Sequence, residues 1–206
     1  MDELDRRLAE GITALNIPFT PERLEKLLAF LRLIQKWNRV YNLTAIRDLR
    51  TAVDLHLLDS LTVWPHLRGE RVLDVGTGAG LPGIPLAVMS EDRHFVLLDS
   101  NAKKTRFVQQ AAIELRLPNV EVVTARVEDY CPERGFDTVL ARAYANLAEI
   151  LAATRRMLTP QGVILAQKGQ LPEGEIQTLK DCAVKSHRLN IPGLDIERHV
   201  IEIAIG

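Results

Sequence analysis

Cysteine is nearly absent. Only Cys131 and Cys182 occur in 206 residues, far apart and matching no zinc or redox spacing. That excludes a disulfide framework and a cysteine-built metal site, and predicts a reduced, cytoplasmic chain. No apolar run is long enough to span a bilayer, and the opening MDELDRRLAEG has no apolar core of signal-peptide length, so no membrane partner is expected. An excess of either charge is missing too: 26 Lys and Arg stand against 27 Asp and Glu, for a formal net charge of −1. This excludes a protein coated in positive charge for nonspecific nucleic-acid binding, though it leaves room for a local basic face. Internal repeats, low-complexity tracts and flexible linkers are all lacking. The length suits one sizeable α/β domain with a small appendage.

What the chain does have is a glycine-rich turn between two apolar runs. Val72 to Pro85 reads VLDVGTGAGLPGIP, followed by Phe95 to Ser100, FVLLDS. The first segment is strand, tight turn and helix. Glycine is wanted in such a turn because the backbone must take dihedrals closed to other residues and must let a ligand approach the main chain. About twenty residues on, Asp99 closes a second apolar strand, where an acid of this architecture accepts hydrogen bonds from a ribose hydroxyl pair. Together they point to a nucleoside-containing cofactor.

The glycines fit two frames. Gly78 to Gly83 matches the dinucleotide fingerprint GxGxxG, with Asp99 at a suitable distance. Gly76-Thr77-Gly78-Ala79-Gly80, with Asp74 two residues ahead, matches the acid-then-GxGxG loop of S-adenosylmethionine enzymes. We favour the second frame, because Asp74 at a strand's carboxyl end would attract the cationic amino group of a methionine moiety and repel a pyrophosphate. A nicotinamide-dependent oxidoreductase is the alternative from the first frame, and a non-catalytic, adenosylmethionine-responsive RNA-binding module is a third.

Ahead of this core the chain is helical. Leu4, Leu8, Ile12 and Leu15 lie on one helix face, broken at Asn16 to Phe19 by Pro18. Thr20-Pro21-Glu22 restarts a helix, and Leu24, Leu27, Leu28, Leu31, Ile34 and Trp37 give it an apolar stripe. The segment KWNRVYNLT, Lys36 to Thr44, concentrates aromatic, amide and basic side chains. It reads either as an RNA surface or, as we favour, as a helix end whose aromatics pin it to the next domain. Asp48 to Leu67 is predicted helical. Its His56 and Asp59 have no metal signature and read as anchoring contacts rather than an acid–base pair.

From Glu70 onward, short aliphatic runs alternate with helical stretches, the pattern of a parallel sheet covered on both faces. Strands are predicted at Val72 to Val75, Phe95 to Asp99, Val120 to Thr124, Asp137 to Ala141 and Gly162 to Gln167. Helices are predicted near Ile84 to Met89, Lys103 to Leu115, Leu147 to Leu158 and Glu173 to Ala183. Ser186 to Ile191 and His199 to Ile205 predict two late strands, one inserted antiparallel. The expected fold is thus α/β, a doubly wound, mostly parallel seven-stranded sheet preceded by an N-terminal helical extension. The division is expected at 1–67 and 68–206.

The whole chain from about Leu24 closely resembles the bacterial 16S ribosomal RNA guanine nitrogen-7 methyltransferase G family, also called glucose-inhibited division protein B. The resemblance is carried by KWNRVYNLT, HLLDSL at His56 to Leu61, LDVGTGAGLPGIPLA at Leu73 to Ala87, LLDS at Leu97 to Ser100, ARVED at Ala125 to Asp129, ARA at Ala141 to Ala143, QKG at Gln167 to Gly169 and ERH at Glu197 to His199. It implies S-adenosyl-L-methionine as cofactor and 16S ribosomal RNA, within the small ribosomal subunit, as partner. Gly76 and Leu81 match the family's binding loop, Val127 and Glu128 its adenine-side contact, and Arg142 a site arginine after the fourth strand. With Asp74, Gly78, Gly80 and Asp99 these make the expected cofactor set. Lys103, Lys104, Arg126, Lys168 and Arg198 are the RNA-binding candidates, gathered toward one sheet edge although each alone would be an ordinary solvated charge. Attack by guanine nitrogen-7 has no proton to lose, so no catalytic base is expected, and Arg142 and Lys168 are candidates for positioning. No metal is expected.

Overall fold

Asp2 opens the chain's first helix by a reciprocal cap. Its carboxylate accepts from Asp5 N at 2.8 Å, and Asp5 accepts from Asp2 N at 2.7 Å, which satisfies donors the first helical turn leaves free. The computed structural model describes residues 2–180 and 182–205. Helix α1 (Glu3–Ala14) stops where Asn16 takes a left-handed φ of 56°. Helix α2 (Pro21–Tyr41) starts from a Thr20 cap with proline at its first turn and ends at Asn42, also left-handed. The predicted helix from Asp48 is present but composite: α3 (Leu49–Ala52), a π-helical segment Val53–Leu58, α4 (Asp59–Leu61), then a 3-10 turn Trp64–His66.

The sheet strands are β1 (Arg71–Val75), β2 (His94–Asp99), β3 (Val120–Thr124), β4 (Phe136–Arg142), β5 (Leu158–Lys168), β6 (Cys182–Arg188) and β7 (His199–Ile205). Their spatial order is β3-β2-β1-β4-β5-β7-β6. The first five are parallel, and β7 alone runs against its neighbours, inserted between β5 and β6. Helices α5 (Gly83–Met89) and α6 (Ala102–Glu114) carry the chain outward from β1 to β3, while α7 (Leu147–Thr154) and α8 (Glu173–Gln177) carry it the other way. The direction of winding therefore reverses between β1 and β4, where the loops after those two strands diverge and leave a crevice.

Alternation along the strands builds two cores. Val72, Phe95, Leu97, Leu140 and Val163 face one core with α1, α2, α5 and α6. Leu73, Val96, Leu98, Val139 and Ile164 face the other with α7. The helices that precede β1 thus share a core with one face of the sheet, and Phe30 of α2 stacks on Phe107 of α6 at 6.2 Å.

Three predicted elements are bounded differently from expectation. The helix expected at Glu173 to Ala183 ends at Gln177, and Ala183 lies in β6. The apolar spacing there is short enough to suit either period, and pairing with β7 decides it. The late strand expected at Ser186 to Ile191 accordingly runs earlier, from Cys182 to Arg188. The helix expected to run to Leu158 stops at Thr154, continues as a 3-10 turn over Arg155–Met157, and Leu158 already belongs to β5.

One ion pair fastens α1 to the π segment. Arg7 Nε donates to Asp54 Oδ1 at 2.7 Å, with the Asp54 side chain 6% exposed. Arg7→Ala strands a buried carboxylate, and we expect it to cost roughly 2–3 kcal/mol in urea unfolding. Arg50→Ala, which breaks the exposed Arg50–Glu3 pair at 3.6 Å, should cause no resolvable loss. Equal effects of the two would show that α1 is not held by this pair.

Candidate functional site

A cavity of about 300 Å³ opens at the carboxyl ends of the parallel strands. Gly76 follows β1 at its floor, Asp99 ends β2, Val127 and Glu128 follow β3, and Ala143 and Tyr144 follow β4. The right-handed crossovers leave no choice about this gathering: parallel strands must end on one edge.

Two acids hold the glycine loop. Asp99 Oδ2 accepts from Gly78 N at 3.0 Å and its Oδ1 from Asn101 N at 2.8 Å. Each oxygen keeps a further lone pair for a ligand hydroxyl. Asp74 lies beneath the loop, fully buried, where Oδ2 accepts from Thr77 Oγ1 at 2.7 Å and Gly83 N at 3.0 Å. Its Oδ1 has no hydrogen-bond partner among the described residues. Burial pushes its carboxyl up to about 7 against those two hydrogen bonds. Asp74 therefore braces the turn from below and does not line the cavity, so the direct attraction of an amino group read from the sequence is not what this geometry offers.

The glycines divide by task. A Cβ on Gly78 would meet only the Gly76 carbonyl oxygen, at an ordinary 3.8 Å, so its left-handed φ of 60° is what selects glycine. Gly83 has an ordinary φ, but a Cβ there would run into Leu97 Cδ2 and lie 2.7 Å from Asp74 Oδ2. Gly80 is also left-handed, and Leu81 beside it is half-buried at the loop's end. A Cβ on Gly76 would stand 2.5 Å from the Tyr144 ring, so Tyr144, 38% exposed, roofs the spot where the backbone is barest.

The expected cations reach this edge but are mostly paired. Arg142 Nη2 lies 3.0 Å from Asp59 Oδ2 and donates to the Leu55 carbonyl at 3.0 Å. Arg198 Nε stands 3.4 Å from the other Asp59 oxygen. Lys168 Nζ bonds Glu175 at 2.9 Å and the Ala145 carbonyl at 3.1 Å. Lys104 lies 4.0 Å from Asp99. Lys103 and Arg126 are exposed and form no ion pair among the described residues. The edge thus carries balanced charge rather than a continuous basic surface.

Sequence reasoning missed several residues of this site. Tyr144 lacks any motif, and only its place after a strand that ends at the crevice could have marked it. Arg156 donates through Nη2 to the carbonyls of Val127, Glu128 and Tyr130 at 2.8–2.9 Å, fixing the loop beneath Val127. Asp59, expected as an anchor, is one, and Glu175 is the unforeseen partner of Lys168. His56 is buried beside Arg142, and its Nε2 lies 2.9 Å from Thr44 Oγ1. Burial first, then Arg142, lowers its pKa to about 4, so it stays neutral. Asn38 clasps Thr44 through two hydrogen bonds, and Trp37 stacks on Tyr41 and meets Phe107 edge-on. Trp37 thus pins the helix end to α6, as favoured from sequence, while Asn38 closes the turn that follows within the segment itself.

A family model described as GidB, rRNA small subunit methyltransferase G, matches residues 23–201. The ribosomal RNA small subunit methyltransferase G of Methylococcus capsulatus is 54% identical over 197 residues, covering 95% of this chain and 96% of that protein. Its namesake in Nitrosococcus oceani is 45% identical over 206 residues, covering 98% and 96%. Among solved structures, a SAM-dependent methyltransferase from Aquifex aeolicus superposes with a TM-score of 0.59 at 18% identity, covering 76% of this chain and 93% of that one. The plantazolicin methyltransferase BpumL in complex with SAH gives 0.59 at 13% identity, covering 88% and 97%. These structural likenesses concern the fold.

The two glycine roles separate by stability. Gly83→Ala should cost about 1–3 kcal/mol through overpacking and should loosen the Asp74 contacts. Gly78→Ala should cost roughly 1–2 kcal/mol from its dihedral alone. Urea unfolding combined with amide exchange at Thr77 discriminates them. Faster exchange in the Gly83 variant only is the expected result, and equal exchange would refute the division.

Asp74 also predicts a pH dependence. The folded carboxyl keeps its proton to about 7, whereas the unfolded one releases it near 4. The folded state therefore binds more protons in between, and stability from this group falls as pH rises through that window. His56 works oppositely from about 4 to 6.5, but is common to wild type and variant. The unfolding free energy of wild type relative to Asp74→Asn should fall by about 2.5 kcal/mol from about pH 5 to 7.5. A constant difference would show that Asp74 is ionised beneath the loop throughout.

Proposed function

This chain belongs to the rRNA small subunit methyltransferase G family, and we propose that it transfers a methyl group to nitrogen-7 of a specific guanosine in 16S ribosomal RNA. The coarser activity, S-adenosylmethionine-dependent methylation of small-subunit ribosomal RNA, comes with the family. The observation that carries the site is Asp99, which grips the Gly78 amide while its carboxylate lines the cavity beside Gly76.

The donor set fits S-adenosylmethionine. Asp99 offers acceptors to the ribose hydroxyls, and Val127, 4% exposed, offers an apolar wall to the adenine with Glu128 beside it. Gly76, Gly78, Gly80 and Leu81 shape the turn around the remainder, with Asp74 as the brace beneath. When bound, S-adenosylmethionine supplies an electrophilic methyl group on a sulfonium sulfur. Guanine nitrogen-7 carries its lone pair in the ring plane and no hydrogen, so this chain's residues need to orient and exclude water rather than move a proton. Arg142, held by Asp59 and the Leu55 carbonyl, is a fixed cation at the crevice. Tyr144 presents a ring over Gly76 against which a flat base or the cofactor packs once the ring turns aside.

Lys103 and Arg126 remain for RNA phosphates, whereas Lys104, Lys168 and Arg198 would reach RNA only by leaving carboxylate partners. Lys36, Arg39 and Arg47 are exposed and form no ion pair among the described residues. So modest a free charge suits recognition of a folded ribonucleoprotein surface by shape, and we take the small subunit as the substrate. A cytoplasmic location and the division of the chain at residues 67 and 68 belong to the same reading. Among the described residues no helix is long and apolar enough to cross a membrane.

Methyl-tritiated S-adenosylmethionine, offered to small subunits from a strain deleted for this gene, should place label in 7-methylguanosine after nuclease digestion. Label in another nucleoside would overturn the nitrogen-7 assignment. No label, with cofactor binding intact, would overturn the substrate. Asp99→Ala should weaken cofactor binding about 10–100-fold, as loss of hydrogen bonds to a charged group does, and an unchanged dissociation constant would remove Asp99 from the site.

A further inference from the structure

Away from the glycine loop, the 3-10 turn before β1 and the β6–β7 ribbon bring His66, His187 and Glu202 together. One ligand atom from each lies within 4.8 Å of the other two. His187 Nε2 is 3.1 Å from Glu202 Oε2, and the imidazole centroids are 4.6 Å apart, tilted by 43°. None of the three lines the cavity at Gly76.

We propose that His66, His187 and Glu202 bind one divalent zinc ion, which staples the end of the N-terminal helical segment to the antiparallel side of the sheet. Two imidazoles and a carboxylate are a set that zinc accepts, with the fourth position left to solvent. Bonds of about 2.0–2.1 Å place tetrahedral ligand atoms roughly 3.3 Å apart. His187 and Glu202 already meet that spacing, and His66, half-buried on a short turn, closes the rest by side-chain rotation. Glu202 is 7% exposed and divides its oxygens: Oε1 takes the Arg68 guanidinium and Oε2 faces His187. Arg68 thereby orients the carboxylate, as the outer partner of a metal ligand does. The His66 ring makes no hydrogen bond among the described residues and lines a separate cavity of about 410 Å³ with Thr62, Arg188 and Asn190, which gives an ion a way in. The opposing arrangement is a metal-free one, in which His187 and Glu202 share a hydrogen bond and His66 only packs beside them.

The site was silent in the sequence because its three residues lie far apart and match no ligand spacing. Its role is to tie elements together. It takes no part in methyl transfer, and its test does not depend on the substrate assigned above.

Untagged protein, stripped with chelator and exchanged into chelator-free buffer, is titrated with zinc chloride by calorimetry and melted with and without one equivalent. We expect one zinc per chain and a melting temperature that rises to a plateau at that ratio. His66→Asn and Glu202→Gln should each weaken binding at least about tenfold and abolish the rise. His66→Asn alters only a half-buried turn, so it keeps the test valid if the buried Glu202 variant fails to fold. Absence of saturable binding in the wild type, or unchanged affinity in His66→Asn, overturns the site.

Discussion

Asp59 is the group on which the rest of the functional edge depends. Its side chain is 2% exposed, and a carboxylate that stays charged at such depth needs positive charge beside it. Burial holds its pKa above the usual carboxylate range, and Arg142 and Arg198 on its two oxygens offset that only in part. Arg198 stands 3.4 Å away, an ion pair rather than a directed hydrogen bond. The three residues come from α4, the end of β4 and the position just before β7. One buried charge thus joins the N-terminal helices to the β4 side of the crevice and to the segment entering β7, and fixes the arginine that ends β4.

A pair of acids does the same for the glycine loop. Asp74 and Asp99 lie on neighbouring parallel strands, β1 and β2, and hold the turn from beneath and from the side. The loop's shape therefore comes from the sheet, whose register sets where each carboxylate stands. The glycines only permit that shape. Gly78 permits it by dihedral and Gly83 by leaving room for Leu97 and Asp74. This explains why both glycine frames were visible in one stretch: the turn and the helix–strand contact ask for glycine separately, and neither request identifies the ligand.

Most of the fold was legible for a physical reason. The five parallel strands are short aliphatic runs, and helices α2 and α6 have apolar stripes at their natural period, so local pattern and tertiary burial agree. Val120 to Thr124 matched to the residue. The stretch around Cys182 did not, because too few apolar residues fall there to define a period and the partner strand lies seventeen or more residues on in sequence. The candidate site was half legible. Residues that shape a ligand's surroundings through their own backbone, such as Gly76 and Asp99, leave local traces. Residues that act through a distant partner leave none: Arg142 could be placed at the edge, but not its engagement with Asp59, nor that of Lys168 with Glu175.

The π-helical segment shows how far that distance reaches. The Asp59 N–H bonds back to the Asp54 carbonyl rather than to Leu55, four residues before it. Leu55 O is thereby left without its helical donor, and Arg142 Nη2 supplies one at 3.0 Å. A regular α-helix would have satisfied Leu55 internally and offered the guanidinium only the carboxylate. The widened turn instead presents Arg142 with two acceptors at a fixed angle, Asp59 Oδ2 and Leu55 O, and Ser60 Oγ lies beyond them at 3.4 Å from Nη1. A cation held at several points keeps its orientation when the crevice fills, as a positioning role requires. Nothing within Val53 to Leu58 signals the wider turn, because what stabilises it is the end of a strand almost ninety residues later.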